Sequence, residues 1–438
     1  MACTHGSVWR ATLSKIVVIG AGITGVSTAY ALLMRGYDVT VVDRHRYAAM
    51  ETSFANGGQL SASNAEVWNH WSTVLKGIMW MLKRDAPLLM NPAPTWHKYS
   101  WLAEFVSNIG KYRENTVATT RLAIAARKFM FEIAEQEAID FDHVRRGILH
   151  IYWDKRSFEH AMRVNQMLVE GGLDRRAVTA SEIKSIEPAL HGTFHRGFYT
   201  PSDSTGDIHK YTTGLARVCE KRGATFLYDR IVTSIARRDC FRITCSASDS
   251  GGYATSQIIE ADAVVVSAGV SSRSFAAMLG DRLNIYPVKG YSITVHLDDE
   301  ASQKAAPWVS LLDDRAKIVT SRLGASRFRV AGTAELNGMN RDIRDDRVRP
   351  LVDWTRTLFP GVRTQRVVPW AGLRPMMPNM MPKIGKGRAP GVFYNTGHGH
   401  LGWTLSAATA AMVADVMLQD IPVDARPRGR SRSDRPDS

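Results

Sequence analysis

Gly20, Gly22 and Gly25 form a Gly-x-Gly-x-x-Gly triplet, and Asp43 follows 23 residues after the first of them. Glycines at this spacing suit a phosphate. Gly20 permits a tight turn, Gly22 lets backbone approach a pyrophosphate, and Gly25 allows a helix to lie close on a strand. The anion would sit at the helix N-terminus, where free N–H groups and a partial positive charge converge. Asp43 is spaced to accept hydrogen bonds from adenosine ribose hydroxyls. Such chemistry needs a strand before the triplet, a helix after it and a second strand ending at the acid. KIVVIG (15–20) reads as a buried parallel strand, ITGVSTAYALLMRG (23–36) has helical spacing and stops at Gly36, and YDVTVVDR (37–44) reads as the next strand. A right-handed βαβ unit is expected, with dinucleotide contacts from Val17, Val18, Ile19, Gly20, Ala21, Gly22, Ile23, Thr24, Gly25, Asp43 and Arg44. The triplet by itself does not separate FAD from NAD.

Three further segments carry candidate chemistry. In ETSFANGGQL (51–60) the small and amide residues Thr52, Ser53, Asn56 and Gln59, with Gly57 and Gly58, suit a loop wrapped round a polar cofactor; an ordinary N-capped turn is the alternative. The run IIEADAVVVSAG reads as a buried strand ending in a turn at Ala268 and Gly269. In NTGHGHLGWT (395–404), Gly397, His398, Gly399, Leu401, Gly402 and Trp403 precede the helical TLSAATAAMVADVML, a second helix N-terminus free to face an anion. Beside a flavin it would stabilise the negative charge that develops on reduction. His398 is expected to present its backbone rather than to act as acid or base. Arg374, in Gly372-Leu373-Arg374-Pro375, is the candidate for a substrate carboxylate, because a planar guanidinium makes paired bonds to it. Lys289 and Tyr291 fall two apart on a strand and so share a face. If that face looks into a pocket they contact substrate or order water; if not, they are a solvated lysine and a packed tyrosine.

ETSFANGGQLS (51–61), YPVKGYSIT (286–294), WAGLRPMMP (370–378) and YNTGHGHLGWT (394–404) together resemble, in the same order, segments of the D-amino acid dehydrogenase (small subunit) family. That family lies within the D-amino acid oxidase-like group, with glycine and sarcosine oxidases, and the resemblance runs from about residue 16 to 420. It implies FAD as cofactor and Arg374 as the carboxylate ligand. The implied reaction is oxidative deamination of a small D-amino acid to a 2-oxo acid and ammonia, by hydride transfer to flavin N5. Electrons would then pass to a quinone, a carrier or oxygen, with an additional subunit as a possible partner. Glycine, sarcosine or a D-proline derivative is the alternative substrate. No dedicated catalytic base is expected. Where the family commonly has Asp-Gly after the proline, this chain has Asn379-Met380-Met381, which bears on substrate detail.

The expected fold class is α/β with an α+β second lobe, a Rossmann-like FAD-binding domain interleaved with a substrate domain of sheet and helices. A chain of 438 residues is long enough for two domains. The pattern assigns 16–85, 200–284 and 366–424 to the FAD-binding domain and 86–199 and 285–365 to the substrate domain. Residues 1–15 read as an N-terminal extension and 425–438 as a disordered basic tail. That tail, with five Arg and two Asp, carries +3 of the net +14; the rest is dispersed, without a dense basic block, so nucleic acid is not an expected partner. Cys3, Cys219, Cys240 and Cys245 form no CxxC or ligand-spaced cluster, so no metal is expected. The first fifteen residues lack an apolar signal-peptide run, which places the protein in the cytoplasm. Five of the eleven tryptophans (Trp68, Trp71, Trp80, Trp96, Trp101) crowd into 68–101 beside Lys76, Lys83 and Arg84. This composition suits either peripheral contact with the inner face of the cell membrane or a cover over the second lobe.

Overall fold

The computed structural model describes residues 14–80, 88–247 and 256–423; the side chains of 76 and 78–80 also lie outside the description. The N-terminal extension (except 14–15) and the basic tail fall among the residues not described.

The apolar run Lys15–Ile19 becomes a central strand because both its faces are covered. Its sheet has six strands, ordered Lys383–Lys386, Val392–Thr396, Ala263–Val266, Lys15–Ile19, Asp38–Val42, Thr225–Leu227, parallel except for the first. Successive side chains point to opposite faces. Ile16, Val18, Val39 and Val41 bury against the helices Ile23–Leu33 and Gly402–Asp420. Val17, Ile19 and Val42 bury against Phe241 and Ile243 of a three-stranded antiparallel sheet, Arg230–Arg237, Phe241–Ala247 and Gln257–Ala261. The helix Gly402–Asp420, apolar enough to span a bilayer by composition, is mostly buried in this core.

A nine-stranded mixed sheet forms the second layer. Its order is Val367–Met376, Tyr286–His296, Arg327–Leu336, Ile318–Leu323, Ser310–Asp313, Ile148–Tyr152, Arg196–Thr200, Arg176–Thr179, with Leu88–Met90 added beside Arg327–Leu336. The helix Asp345–Leu358 covers one face through Leu351 and Leu358.

Two elements depart from the sequence-based division. Val367–Met376 was expected with the cofactor domain, yet it pairs along the whole of Tyr286–His296, from Tyr286↔Met376 to Val295↔Val367. The helix Tyr112–Gln136 was expected in the substrate domain, yet its Met130 and Ala134 join the core beneath the cofactor sheet's helices. From that helix the buried Arg127 forms an ion pair with the buried Asp203, whose carboxylate also accepts from the Ala62 and Ser63 N–H groups at 2.9 and 3.1 Å.

Gly25 is where helix and strand touch. A Cβ there would lie 1.8 Å from the Gly20 carbonyl oxygen, a backbone atom that cannot step aside. Gly25→Ala is therefore expected to destabilise the protein by about 2–3 kcal/mol, as overpacking does. Denaturant midpoints with and without added cofactor check this; a variant as stable as the parent in both would refute the packing role.

Candidate active site

One cavity of about 570 Å³ runs between the two large sheets, and most of the residues singled out by sequence line it. At one end Gly20 turns with φ +108°, where a Cβ would meet the Ser267 carbonyl oxygen at 2.7 Å. Gly22, Ile23 and Thr24 follow on the wall as the first turn of a helix whose N-terminus has no side-chain cap of its own. The Ile23 N–H donates to Ser53 Oγ at 3.0 Å, so the 51–59 loop is tied to the phosphate turn. Asp43 lines the cavity while its carboxylate accepts from the Ala21 and His45 N–H groups at 2.7 and 2.8 Å. Burial holds its pKa above the ordinary value. Arg44 pairs with Glu51, which also takes His45 at 2.8 Å and Arg341 at 2.5 Å. Val17, Val18, Ala21 and Gly25 are not on the wall: the valines point into the two cores, and Gly25 faces Gly20.

The 51–63 loop crosses from one sheet to the other. Thr52 Oγ1 donates to the Leu373 carbonyl at 2.8 Å, Ser292 Oγ to Ala55 at 2.6 Å, Arg329 to Asn56 at 2.9 Å and Ser321 Oγ to Gly57 at 2.6 Å. Gln59 Nε2 reaches Ser310 Oγ at 2.7 Å.

Ala268 lies beside Gly20, its Cα 3.0 Å from where a Gly20 Cβ would sit, and Gly269, Gly397, His398, Gly399, Leu401, Gly402 and Trp403 also line the cavity. The helix Gly402–Asp420 likewise starts without a side-chain cap. His398 is buried, with Nε2 2.9 Å from Thr409 Oγ1, and burial drives its pKa down to about 3. It is a neutral structural imidazole. His400, which sequence reasoning passed over within the same motif, stacks on Trp68 at 4.9 Å and 18°, with Nε2 3.1 Å from the Asn64 carbonyl. Burial first, and then the Arg374 charge, bring its pKa down to about 4.

Arg374 opens into the cavity across Gly290, where a Cβ would sit 2.4 Å from the guanidinium. Among the described residues no carboxylate lies within ion-pair distance of it. Burial lowers its pKa only to about 10, so it is a cation at neutral pH. The neighbouring strand bulges here: Gly290 pairs with Ala334 but Tyr291 with Gly332, leaving Thr333 on the wall with φ +47°. Tyr291 lines the cavity, its hydroxyl 3.3 Å from the Asp342 carbonyl. Lys289 does not. Its side chain is fully buried, with Nζ 2.9 Å from Glu335 and 2.7 Å from Asn340 Oδ1, so it is neither a solvated lysine nor a cavity contact. The two residues share a face, and Lys289 Nζ reaches, at 3.0 Å, the same Asp342 carbonyl as the Tyr291 hydroxyl.

The chain matches the family described as FAD dependent oxidoreductase over residues 15–416. It is 74% identical over 414 residues to D-amino acid dehydrogenase 3 of Mesorhizobium japonicum, covering 94% of this chain and 99% of that one. It is 41% identical to the D-amino acid dehydrogenase of Paramagnetospirillum magneticum, covering 92% and 94%. Glycine oxidase from Geobacillus kaustophilus shares the fold, with a TM-score of 0.71 at 18% identity over 93% of this chain and 95% of that one.

The chain belongs to the FAD-dependent oxidoreductase family.

The cavity of this flavoenzyme fits FAD. Two helix N-termini whose N-cap residues make no side-chain cap bond face it, and the buried Ser267 Oγ and Trp403 Nε1 on its wall have no partner among the described residues. Gly20, Gly22 and the first turn of the helix Ile23–Leu33 would hold the pyrophosphate, Asp43 the ribose, and the 51–59 loop with Gly397–Trp403 the flavin ring. Bound FAD supplies a two-electron acceptor. The protein's part is to keep that acceptor beside a helix N-terminus that favours negative charge.

His398 and His400 predict a pH response. Both have folded pKa values below the ordinary 6.5, so the unfolded chain binds more protons and stability is lost as pH falls from about 6.5 toward 4. Each contributes a slope of up to about 1.4 kcal/mol per pH unit. Denaturant midpoints of the parent and of His398→Gln between pH 4.5 and 7.5 measure it; equal slopes in the two proteins would remove His398 from the account.

Proposed function

We propose that this flavoenzyme dehydrogenates D-amino acids to 2-oxo acids and ammonia. The observation that carries the reading is Arg374: a cation without an acidic partner among the described residues, facing the same cavity as the Gly397–Trp403 turn. Its guanidinium takes the α-carboxylate by paired hydrogen bonds. Gly290 leaves the room across which that side chain lies. Neutral His398 and His400 place no second positive charge against the substrate amine. Arg374 fixes the carboxylate and with it Cα; bound FAD would supply the acceptor for the Cα–H hydride as the amine nitrogen's electron pair closes the C=N bond. Water then hydrolyses the imine to a 2-oxo acid and ammonia. The 74% identity to a D-amino acid dehydrogenase supports this substrate class.

The electrons pass on to a quinone, reached from the cytoplasmic face of the membrane. The helix Trp71–Trp80 supports this: Ser72 and Thr73 lie on the cavity wall while Trp71 and Leu75 are exposed at 58% and 59%. Trp96 and Tyr99, on the helix Trp96–Ser107, are also exposed, and both helices rest on one apolar cluster through Val74, Trp101 and Phe105. Trp101 is buried and Trp68 half-buried, both packed on the same apolar cluster. The Lys76, Trp80, Lys83 and Arg84 side chains lie outside the described residues.

Anaerobic bleaching of the flavin absorbance by D-alanine, and not by L-alanine, is the expected outcome. Arg374→Met should lower the second-order rate of bleaching by about 100-fold or more, the scale of a lost charge-assisted contact of about 3 kcal/mol. Bleaching by glycine, sarcosine or D-proline alone would move the assignment to those amines. For the membrane, Trp71→Glu with Leu75→Glu should abolish co-flotation with anionic vesicles; parent protein that never floats refutes this contact.

A further inference from the structure

Arg175 is a second cation on the same wall. It is 7% exposed, and no carboxylate among the described residues lies within ion-pair distance of it. Its guanidinium stacks on Phe198 at 4.4 Å. Its polar contacts among the described residues are two long ones, both 3.4 Å, from Nη1 to Asn165 Oδ1 and from Nη2 to Tyr152 OH, and Nε has no partner there. Burying a charge this way is costly unless something pairs it.

The groups around Arg175 are neutral donors and apolar walls. Tyr152 is kept protonated by burial, with a pKa pushed up to about 12. His150 is kept neutral by burial and by the Arg175 charge, and its Nε2 is 3.0 Å from Ser63 Oγ. Ala161 and Val164, on the helix Lys155–Glu170, close the side. The nearby acids are committed elsewhere: Asp314 to Lys317 at 2.6 Å and Glu66 to the Tyr112 hydroxyl at 2.5 Å. A continuous wall joins this end to the substrate cation. Arg374 acts on His400, His400 bonds to Asn64, and the adjacent Ser63 bonds to His150 beside Arg175.

We propose that Arg175 forms a second anion subsite, which takes the side-chain carboxylate of an acidic D-amino acid whose α-carboxylate is held by Arg374. The inference rests on the dehydrogenase reading for its substrate. Arg175 is a specificity residue, remote from the bond that breaks. Fork-like donors match a carboxylate, and a planar guanidinium already stacked on Phe198 loses little freedom in binding one.

The test compares substrates within one holoenzyme. In Arg175→Gln the ratio of KM for D-glutamate to KM for D-alanine should rise about tenfold or more, the loss of one charge-assisted contact. A parallel change for both substrates, or no change, overturns the subsite and leaves Arg175 as a packing cation. A second measurement needs no turnover: perturbation of the flavin spectrum by glutarate and by butyrate. Tighter binding of glutarate, weakened by Arg175→Lys, supports the subsite, while equal binding overturns it. This readout stays decisive if no D-amino acid reduces the flavin, an outcome that would sink the dehydrogenase reading alone.

Discussion

The active site depends on one segment being held from both sides. Residues 51–63 present their carbonyls to Ser292, Ser321 and Arg329 of the large sheet, while Ser53 accepts from the first helix of the cofactor sheet. At its end the Ala62 and Ser63 N–H groups point at Asp203, and Ser61 N donates to Thr404 Oγ1 at 3.2 Å. A loop of this length running through the interior must satisfy its backbone polar groups without water. Here it does so with side chains from three separate parts of the chain. That is why the cofactor wall and the substrate wall keep a fixed spacing.

The Arg127–Asp203 pair clamps the end of the segment. Burying both charges costs solvation, so the pair is weak evidence for added stability. Its value is geometric, because the same carboxylate orders two successive N–H groups. Tyr112–Gln136 carries Arg127 and packs on the cofactor core. The second lobe's helix thereby fixes the first lobe's loop. The two departures from the sequence-based division have the same source, since a strand and a helix near each boundary serve the opposite layer.

What was legible in the sequence was local. The glycine triplet, its strand, helix and acid lie within 30 residues and obey period-2 and period-3.6 patterns that need no partner to be read. The presence of Gly397–Trp403 and Arg374 on the cavity wall was legible for a related reason, since Gly and Pro flank them. Lys289 shows the limit. Its spacing from Tyr291 is correct for a shared face, but the charge of Glu335, 46 residues on, is what holds the lysine buried and off the cavity wall. Arg175, His150 and Asp203 carry no local signal whatever. Their side-chain partners are 10 to 141 residues distant in the chain, and an arginine's role is set by whether an acid happens to face it.

Charge placement explains how the fold can serve oxidation of a zwitterion. The flavin end of the cavity carries a helix N-terminus and Arg374, with two imidazoles held neutral by burial. The carboxylates on the wall are held by their own donors: Asp43 by backbone N–H groups, Glu51 by His45 and two arginines, Glu66 by Tyr112. An incoming carboxylate therefore meets unpaired positive charge, and negative charge that develops on the cofactor meets the helix dipole. Neither needs a protein group to move or to change its proton count. Such pre-set electrostatics cost no reorganisation during the reaction. A site of this kind needs few reactive side chains, and the one uncompensated requirement is rigidity, which the doubly held 51–63 segment supplies.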